Sequence, residues 1–328
     1  MVFRANKQDK AIELIKSIAI ILVVLGHINT PLGKIIYSFH MPLFFMISGT
    51  FISGMNSFRE LRVNTLRLIV PAFIFFLIAY LITLTKNMYL DRDIETLYQA
   101  TKNLFLWTNS KDINNYGFVL WFLIVLFWGK MLSNSLIFKN SKYENYIIIF
   151  SILVLSLSKN YFNLILPFGI DIAIFVVPFM LLGYLTYKHK SIVLKNRISI
   201  IIISQLTLYF IYKYYGIMWV DIGSRDYENY SLSIIYSYLI YLNFFIIFNT
   251  LDLRNKIFIP FIFIGEISFY IMIFHPYSNN ISDKFLSLLI SEYRWPFTLL
   301  LSIILCVILY ILYDYALRFF RDLRTNAN

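Results

Sequence analysis

Four histidines occur in the 328 residues, and two of them stand where an imidazole can do chemistry. His27 closes the apolar run "AIELIKSIAIILVVLGHIN", and His40 lies in "YSFHMPLFFMISG", thirteen residues on. An imidazole titrates near neutrality and can take a proton from a hydroxyl as that hydroxyl attacks a carbonyl. The run that ends in His27 also carries Glu13 and Lys16. At about 100° per residue, the eleven steps from Lys16 to His27 return to within about 20°, and the fourteen from Glu13 to within about 40°. All three therefore share one stripe of a helix. Glu13 and Lys16 form an i,i+3 pair able to neutralise each other, and His27 lies about 21 Å beyond Glu13 along the axis. An ionisable group within a membrane span costs roughly 2.5–3.5 kcal/mol on insertion scales, which makes the stripe a functional hypothesis. The plainer alternative is interfacial: Glu13 and Lys16 snorkel at one boundary, and His27 is a polar residue at the other.

The elements that must position these groups are membrane helices. Hydrophobic residues make up 59% of the chain and charged residues 14%, against roughly 25% charged in a soluble domain. Apolar runs near span length recur throughout, which predicts an all-α integral membrane protein. Ten spans are expected at about 11–28, 36–54, 66–85, 117–137, 144–159, 168–187, 197–215, 231–250, 257–277 and 297–317. No ten-residue alternation of the kind a barrel needs is present. The net charge of +11 follows the connections: Lys and Arg collect on one side, while the other side mixes bases with acids, as in "LDRDIE" and "GSRDYENY". That bias places both termini in the cytoplasm and reads as topology, not as a nucleic-acid footprint. The lone Cys306 offers neither a disulfide nor a zinc cluster, and two histidines without clustered carboxylates or thiolates make a poor metal site. Charges in the first run mark it as a permanent span, not a cleaved signal. A single domain over 1–328, with no appended soluble domain, is expected.

The short connection "NTPLGK" makes the first two spans neighbours, so His27 and His40 are expected to face one cavity, with Pro42 bending the second span around it. Arg59, Arg62 and Arg67 fall on the cytoplasmic side; they either enforce topology or bind phosphate through their planar forks of donors. Two amphipathic stretches, "IETLYQATKNLFLW" and "SDKFLSLLISEYRW", are expected on the outer surface. Their Tyr, Trp and Asn fit an interfacial aromatic belt or a surface that stacks on sugar rings. His189, within "KHKS", reads as part of a basic loop. No internal or inverted repeat is seen, which argues against a secondary transporter.

These residues resemble the start of the acyltransferase 3 family of membrane O-acyltransferases, in its fucose 4-O-acetylase-like branch. The resemblance runs through "IELIKSIAIILVVLGH", "FHMPLFFMISGTF", "LRVNTLRLIVPAF", "LWFLIVLF", "IDIAIFVVPFMLLGYL" and "FIGEISFYIMIFHPY", in order. It implies an acyl-CoA donor on the cytoplasmic side and an acceptor hydroxyl reached from the other, on a cell-surface polysaccharide or lipid-linked glycan in a bacterial cell membrane. The resemblance places catalysis on His27, with Glu13 and His40. It maps the family's arginine onto Arg67 and the Gly, Ser, Tyr and His of its late motif onto Gly265, Ser268, Tyr270 and His275; Lys16 and Arg62 are expected to join Arg67 at the donor, and Trp121 to join Ser268, Tyr270 and His275 at the acceptor. One departure stands out: Asn64, not arginine, lies three residues before Arg67. A thioester needs no metal or redox cofactor to acylate an alcohol; it needs the alcohol's proton removed and the oxyanion stabilised. Glu13 is too far along its helix to orient His27, and Asp171 is the better-placed carboxylate. The rival function is a transporter or flippase that moves an acyl group or lipid-linked sugar without chemistry. Oligomeric state is not readable.

Overall fold

The structure, a computed structural model, describes residues 9–54, 58–91, 96, 98–99, 101–102, 116–139, 141–158, 165–288 and 293–326. The chain forms two compact units, one of Met1–Ile36 with Leu253–Asn328 and one of Tyr37–Asp252.

In the first unit, α1 (Lys10–Gly26) starts on Asp9, whose carboxylate accepts from the Ala11 N–H at 3.1 Å and so satisfies one of the first turn's orphan donors. The helix ends at His27. Its buried face is aliphatic apart from Glu13 and Ser17. The short α2 (Gly33–Tyr37) leads the chain out of this unit. On return, α12 (Ile259–Glu266) and α13 (Ser268–Ser287) meet at a bend of 78°. The long α14 (Trp295–Asn326) follows and packs along α13. Helix α12 crosses α1 at Gly265, where a Cβ would sit 2.0 Å from the Glu13 carbonyl oxygen. Only a glycine admits that approach.

In the second unit, α3 (His40–Gly49) packs on α8 (Ile170–Lys188). Each helix brings a glycine to the crossing: a Cβ on Gly49 would meet the Met180 carbonyl oxygen at 2.0 Å, and one on Gly183 the Met46 carbonyl oxygen at 1.8 Å. Backbone thus lies against backbone, and Phe45, Met46, Phe179 and Met180 are buried around it. Between α3 and α8 come α4 (Phe58–Asn64), a π-helical turn (Thr65–Ile69), α5 (Val70–Tyr89), α6 (Trp121–Ser135) and α7 (Glu144–Ser158). After α8 come α9 (Lys190–Lys195), α10 (Arg197–Tyr215), a two-stranded antiparallel hairpin of β1 (Val220–Asp221) and β2 (Asp226–Tyr227), and α11 (Tyr230–Thr250).

The architecture is helical, as composition predicts. Among the described residues, five helical stretches are long and apolar enough to cross a membrane, or six if the bent pair of α12 and α13 counts as one span. The other expected spans are shorter helices. Helix α3 has ten residues and α6 and α7 have fifteen, where a straight crossing of hydrocarbon takes about twenty. Hydropathy cannot separate a short apolar helix packed inside protein from one that spans lipid, because both are apolar on every side. Two local expectations change. Helix α3 starts at His40, so Pro42 falls in its first turn, where the missing N–H removes no helical bond, and the expected span 36–54 is interrupted at Ser38 and Phe39. Residues Ser282–Ser287 continue α13 instead of opening a separate surface helix. The other amphipathic stretch, 94–107, lies mostly outside the described residues.

Candidate functional site

In the first unit, Glu13 and Lys16 form the expected pair, 2.7 Å apart, with the carboxylate nearly buried. At the far end of the same helix His27 is exposed and sits at the C-cap, where its Nδ1 lies 2.9 Å from the Val23 carbonyl oxygen. A carbonyl can only accept, so Nδ1 donates and the basic lone pair falls on Nε2. The base-competent tautomer is therefore fixed by a backbone oxygen on the histidine's own helix. His275, on α13, packs its ring against His27, with centroids 5.0 Å apart and planes at 61°. One turn further along α13, the Asn279 amide donates to the Val24 carbonyl at 3.2 Å and to the His27 carbonyl at 3.5 Å. The late motif thus holds the end of α1. Its other members have separate tasks: Gly265 permits the α12–α1 crossing, Ser268 is buried at the start of α13, and the Tyr270 ring packs against Tyr310 and Tyr313 of α14.

In the second unit, His40 is buried and meets the Tyr37 ring edge-on at 4.9 Å. Tyr37 stacks on Trp219 at 4.7 Å, and the Trp219 indole donates to Asp226 at 3.1 Å. Trp219 thus ties the hairpin to the residues just before α3. The hairpin turn lies on Trp121, because a Cβ on Gly223 would come within 2.9 Å of the indole. Asp171, in the first turn of α8, takes a two-pronged ion pair from Arg225 at 2.6 and 3.2 Å, and accepts from the Leu166 N–H at 3.3 Å. Arg225 reaches it from a left-handed turn position, φ 61°. Burial pushes the Tyr227 hydroxyl well above its ordinary range, with the nearby Arg225 charge opposing, so Tyr227 remains a neutral hydroxyl. Asp171 was expected to orient His27; its partners within its own unit include Arg225 and the Leu166 N–H.

The arginine segment is built by a different device. The Asn134 side chain, at the end of α6, accepts from the Ser53 N–H at 3.2 Å and the Gly54 N–H at 3.1 Å, and Ser53 donates to Glu60. Gly54 is left-handed, φ 76°, with Ile137 where a side chain would go. These contacts tie Ser53 and Gly54 to α6 and to α4, which bears exposed Arg59 and Arg62. Pro71 has no N–H for the Arg67 carbonyl, and the helix widens there: the Val70 N–H reaches back to the Thr65 carbonyl in a π turn. Arg67 is exposed in that turn, which packs against α6, the helix that carries Lys130. The sequence reading passed over Lys130, although a lysine inside "WFLIVLFWGKML" is the kind of intramembrane charge that signals function. It passed over Asn279 and Arg225 as well. Asn279 had a legible signal, one turn after the histidine of "HPYSNN"; Arg225 had none, since its partner is 54 residues away. Among the described residues no three His, Cys, Asp or Glu side chains come together as metal ligands.

Comparison with known proteins places this geometry in a family. The model of the acyltransferase domain matches residues 9–313. The nodulation protein NolL of Sinorhizobium fredii (strain NBRC 101917 / NGR234) is 48% identical over 63 residues, covering 15% of this chain and 17% of that protein. The chain thus matches about a sixth of the length of that curated relative. No solved structure matches. The match across nearly the whole helical chain, from the Asp9 cap through α14, means that this protein belongs to the acyltransferase 3 family.

Proposed function

We propose that this protein moves an acyl group, acetyl by default, from cytoplasmic acyl-CoA to a hydroxyl of a cell-surface polysaccharide or lipid-linked glycan. The observation that carries the reading is His27: an exposed imidazole, its Nδ1 proton held by Val23, at the end of a helix that buries the Glu13–Lys16 pair. In the proposed reaction the acceptor hydroxyl gives its proton to His27 Nε2 as its oxygen bonds to the thioester carbonyl carbon. The tetrahedral oxyanion collapses, the C–S bond breaks, and the leaving thiolate takes the proton from His27. No resident cofactor or metal enters; acyl-CoA is a substrate. Arg62, Arg67 and Lys130 are assigned to its phosphates, since guanidinium and ammonium groups suit a polyanion. Lys16 stays with the donor and Glu13 with catalysis, the carboxylate holding the lysine in place. The acceptor is assigned to the hairpin side, where Tyr37, Trp121 and Trp219 supply aromatic surface and His40 stands behind Tyr37. Ser268 and Tyr270 keep an acceptor-side assignment.

The test is the mass of surface glycan from cells with and without the protein. An added acyl mass that depends on the protein supports transfer; an identical glycan refutes it. Purified protein releasing thiol from acetyl-CoA in the presence of glycan separates transfer from a flippase, which releases none.

A further inference from the structure

Helix α13 contains Pro276, which has no N–H to give the Met272 carbonyl four residues earlier. The preceding residue fills the gap. His275 Nδ1 lies 2.8 Å from the Met272 oxygen and 3.3 Å from the Ile271 oxygen. Both are acceptors, so Nδ1 carries the proton and Nε2 does not. That Nε2 is buried and has no hydrogen-bond partner among the described residues. The His–Pro pair thus builds an imidazole with a fixed tautomer, its N–H turned back to its own helix and its electron-rich end left over. An orphaned buried acceptor calls for an explanation. The ring beside it is His27, 5.0 Å away between centroids, and Asn279 on the next turn grips the backbone of that same histidine.

We propose that His275 is a positioning residue for His27: it sets a neutral, electron-rich imidazole beside the base and favours positive charge there as His27 takes the acceptor's proton. His275 gains no proton itself, because a wholly buried imidazole is a costly place for a charge. A cation within about 6 Å of an aromatic ring is attracted by it, and the same packing holds the His27 ring in one orientation. Asn279 completes the bracket by fixing the α1 terminus. This rests on the reading of His27 as base.

The test compares His275→Asn, His275→Gln and His27→Ala in matched membranes, using acetyl-CoA and isolated glycan. Asn keeps a donor where Nδ1 stands, and so keeps the repair at Met272, but removes the ring and Nε2. Gln places an amide oxygen near the Nε2 position. The expected result for His275→Asn is a 10- to 100-fold fall in kcat, KM unchanged for both substrates, and an unchanged thermal unfolding midpoint. His275→Gln recovers part of the loss. If His275→Asn does not fold, His275→Gln carries the test: a lowered kcat with unchanged KM supports the proposal, and parental kcat overturns it. Parental kcat in a folded His275→Asn shows that only the Met272 bond mattered, and a raised acceptor KM at constant kcat shows direct contact with acceptor; either overturns it. An active His27→Ala removes the base assignment itself, whereas an inactive His27→Ala beside a fully active His275→Asn removes only this inference.

Discussion

Asp171→Ala removes the carboxylate that takes the two-pronged ion pair from Arg225, and the structure says where the cost appears. The two side chains are 7% and 13% exposed. Breaking such a pair from one side costs about 3–5 kcal/mol, because a buried charge is left uncompensated. Arg225 need not stay buried, however. It lies in the turn of a hairpin whose strands are two residues each, so it escapes to water when the hairpin lifts, without unfolding α8. The loss in Asp171→Ala is therefore expected as local opening, and 3 kcal/mol corresponds to roughly a hundredfold in the opening equilibrium. Hydrogen exchange at the Ser224 and Glu228 amides, bonded to Asp221 and to the Trp219 carbonyl, reads that equilibrium directly. Exchange there should quicken by about that factor while amides in α8 keep their protection. Acceptor KM should rise and donor affinity should hold. In the double variant Asp171→Ala/Arg225→Met the buried guanidinium is gone as well, and much of the protection returns. A coupling below about 0.5 kcal/mol in that cycle, which is the range of independent sites, refutes the clamp.

Further outcomes follow from the same geometry. Arg67→Ala and Lys130→Ala should each weaken acyl-CoA binding several-fold, more at low salt than at high, without changing acceptor KM; titration of a non-hydrolysable CoA analogue at two ionic strengths checks this. Gly183→Leu should abolish folding and Gly183→Ala should cost about 1–3 kcal/mol or more, since a Cβ there meets Met46 backbone at 1.8 Å; yield and thermal unfolding in detergent report it. Exchanging residues 219–228 for the equivalent hairpin of a relative with another acceptor should alter acceptor choice but leave binding of a CoA analogue unchanged.

What could be read from the sequence, and what could not, divides along physical lines. The Glu13–Lys16 pair was legible because an i,i+3 contact depends only on helical period. Apolar runs announced helices but not their surroundings: α3 and α6 bury most of their residues against protein, and a run of Phe, Leu and Ile looks the same in either setting. The place of Pro42 needed the fold, because the run 36–54 breaks at Ser38 and Phe39 and a proline's effect depends on its distance from a helix start. Pro276 shows the converse. Its consequence for Met272 was written in the sequence, yet only the fold places the resulting imidazole beside His27. Asp171 and Arg225 are joined by chain closure over 54 residues, which no local pattern reports. His27 and His40 fall in different units, and each owes its setting to its own neighbours.

The central claim is that His27 is the base for transfer. The direct measurement is the rate of acetyl transfer from labelled acetyl-CoA to glycan in membranes holding equal amounts of parent and His27→Ala protein, with binding of a CoA analogue measured on the same samples. The account predicts transfer lowered by roughly 10²–10⁴-fold, the contribution of a positioned general base, with analogue binding unchanged. Near-parental transfer by His27→Ala at equal protein contradicts it and hands the role to another residue, with His40 the first to examine.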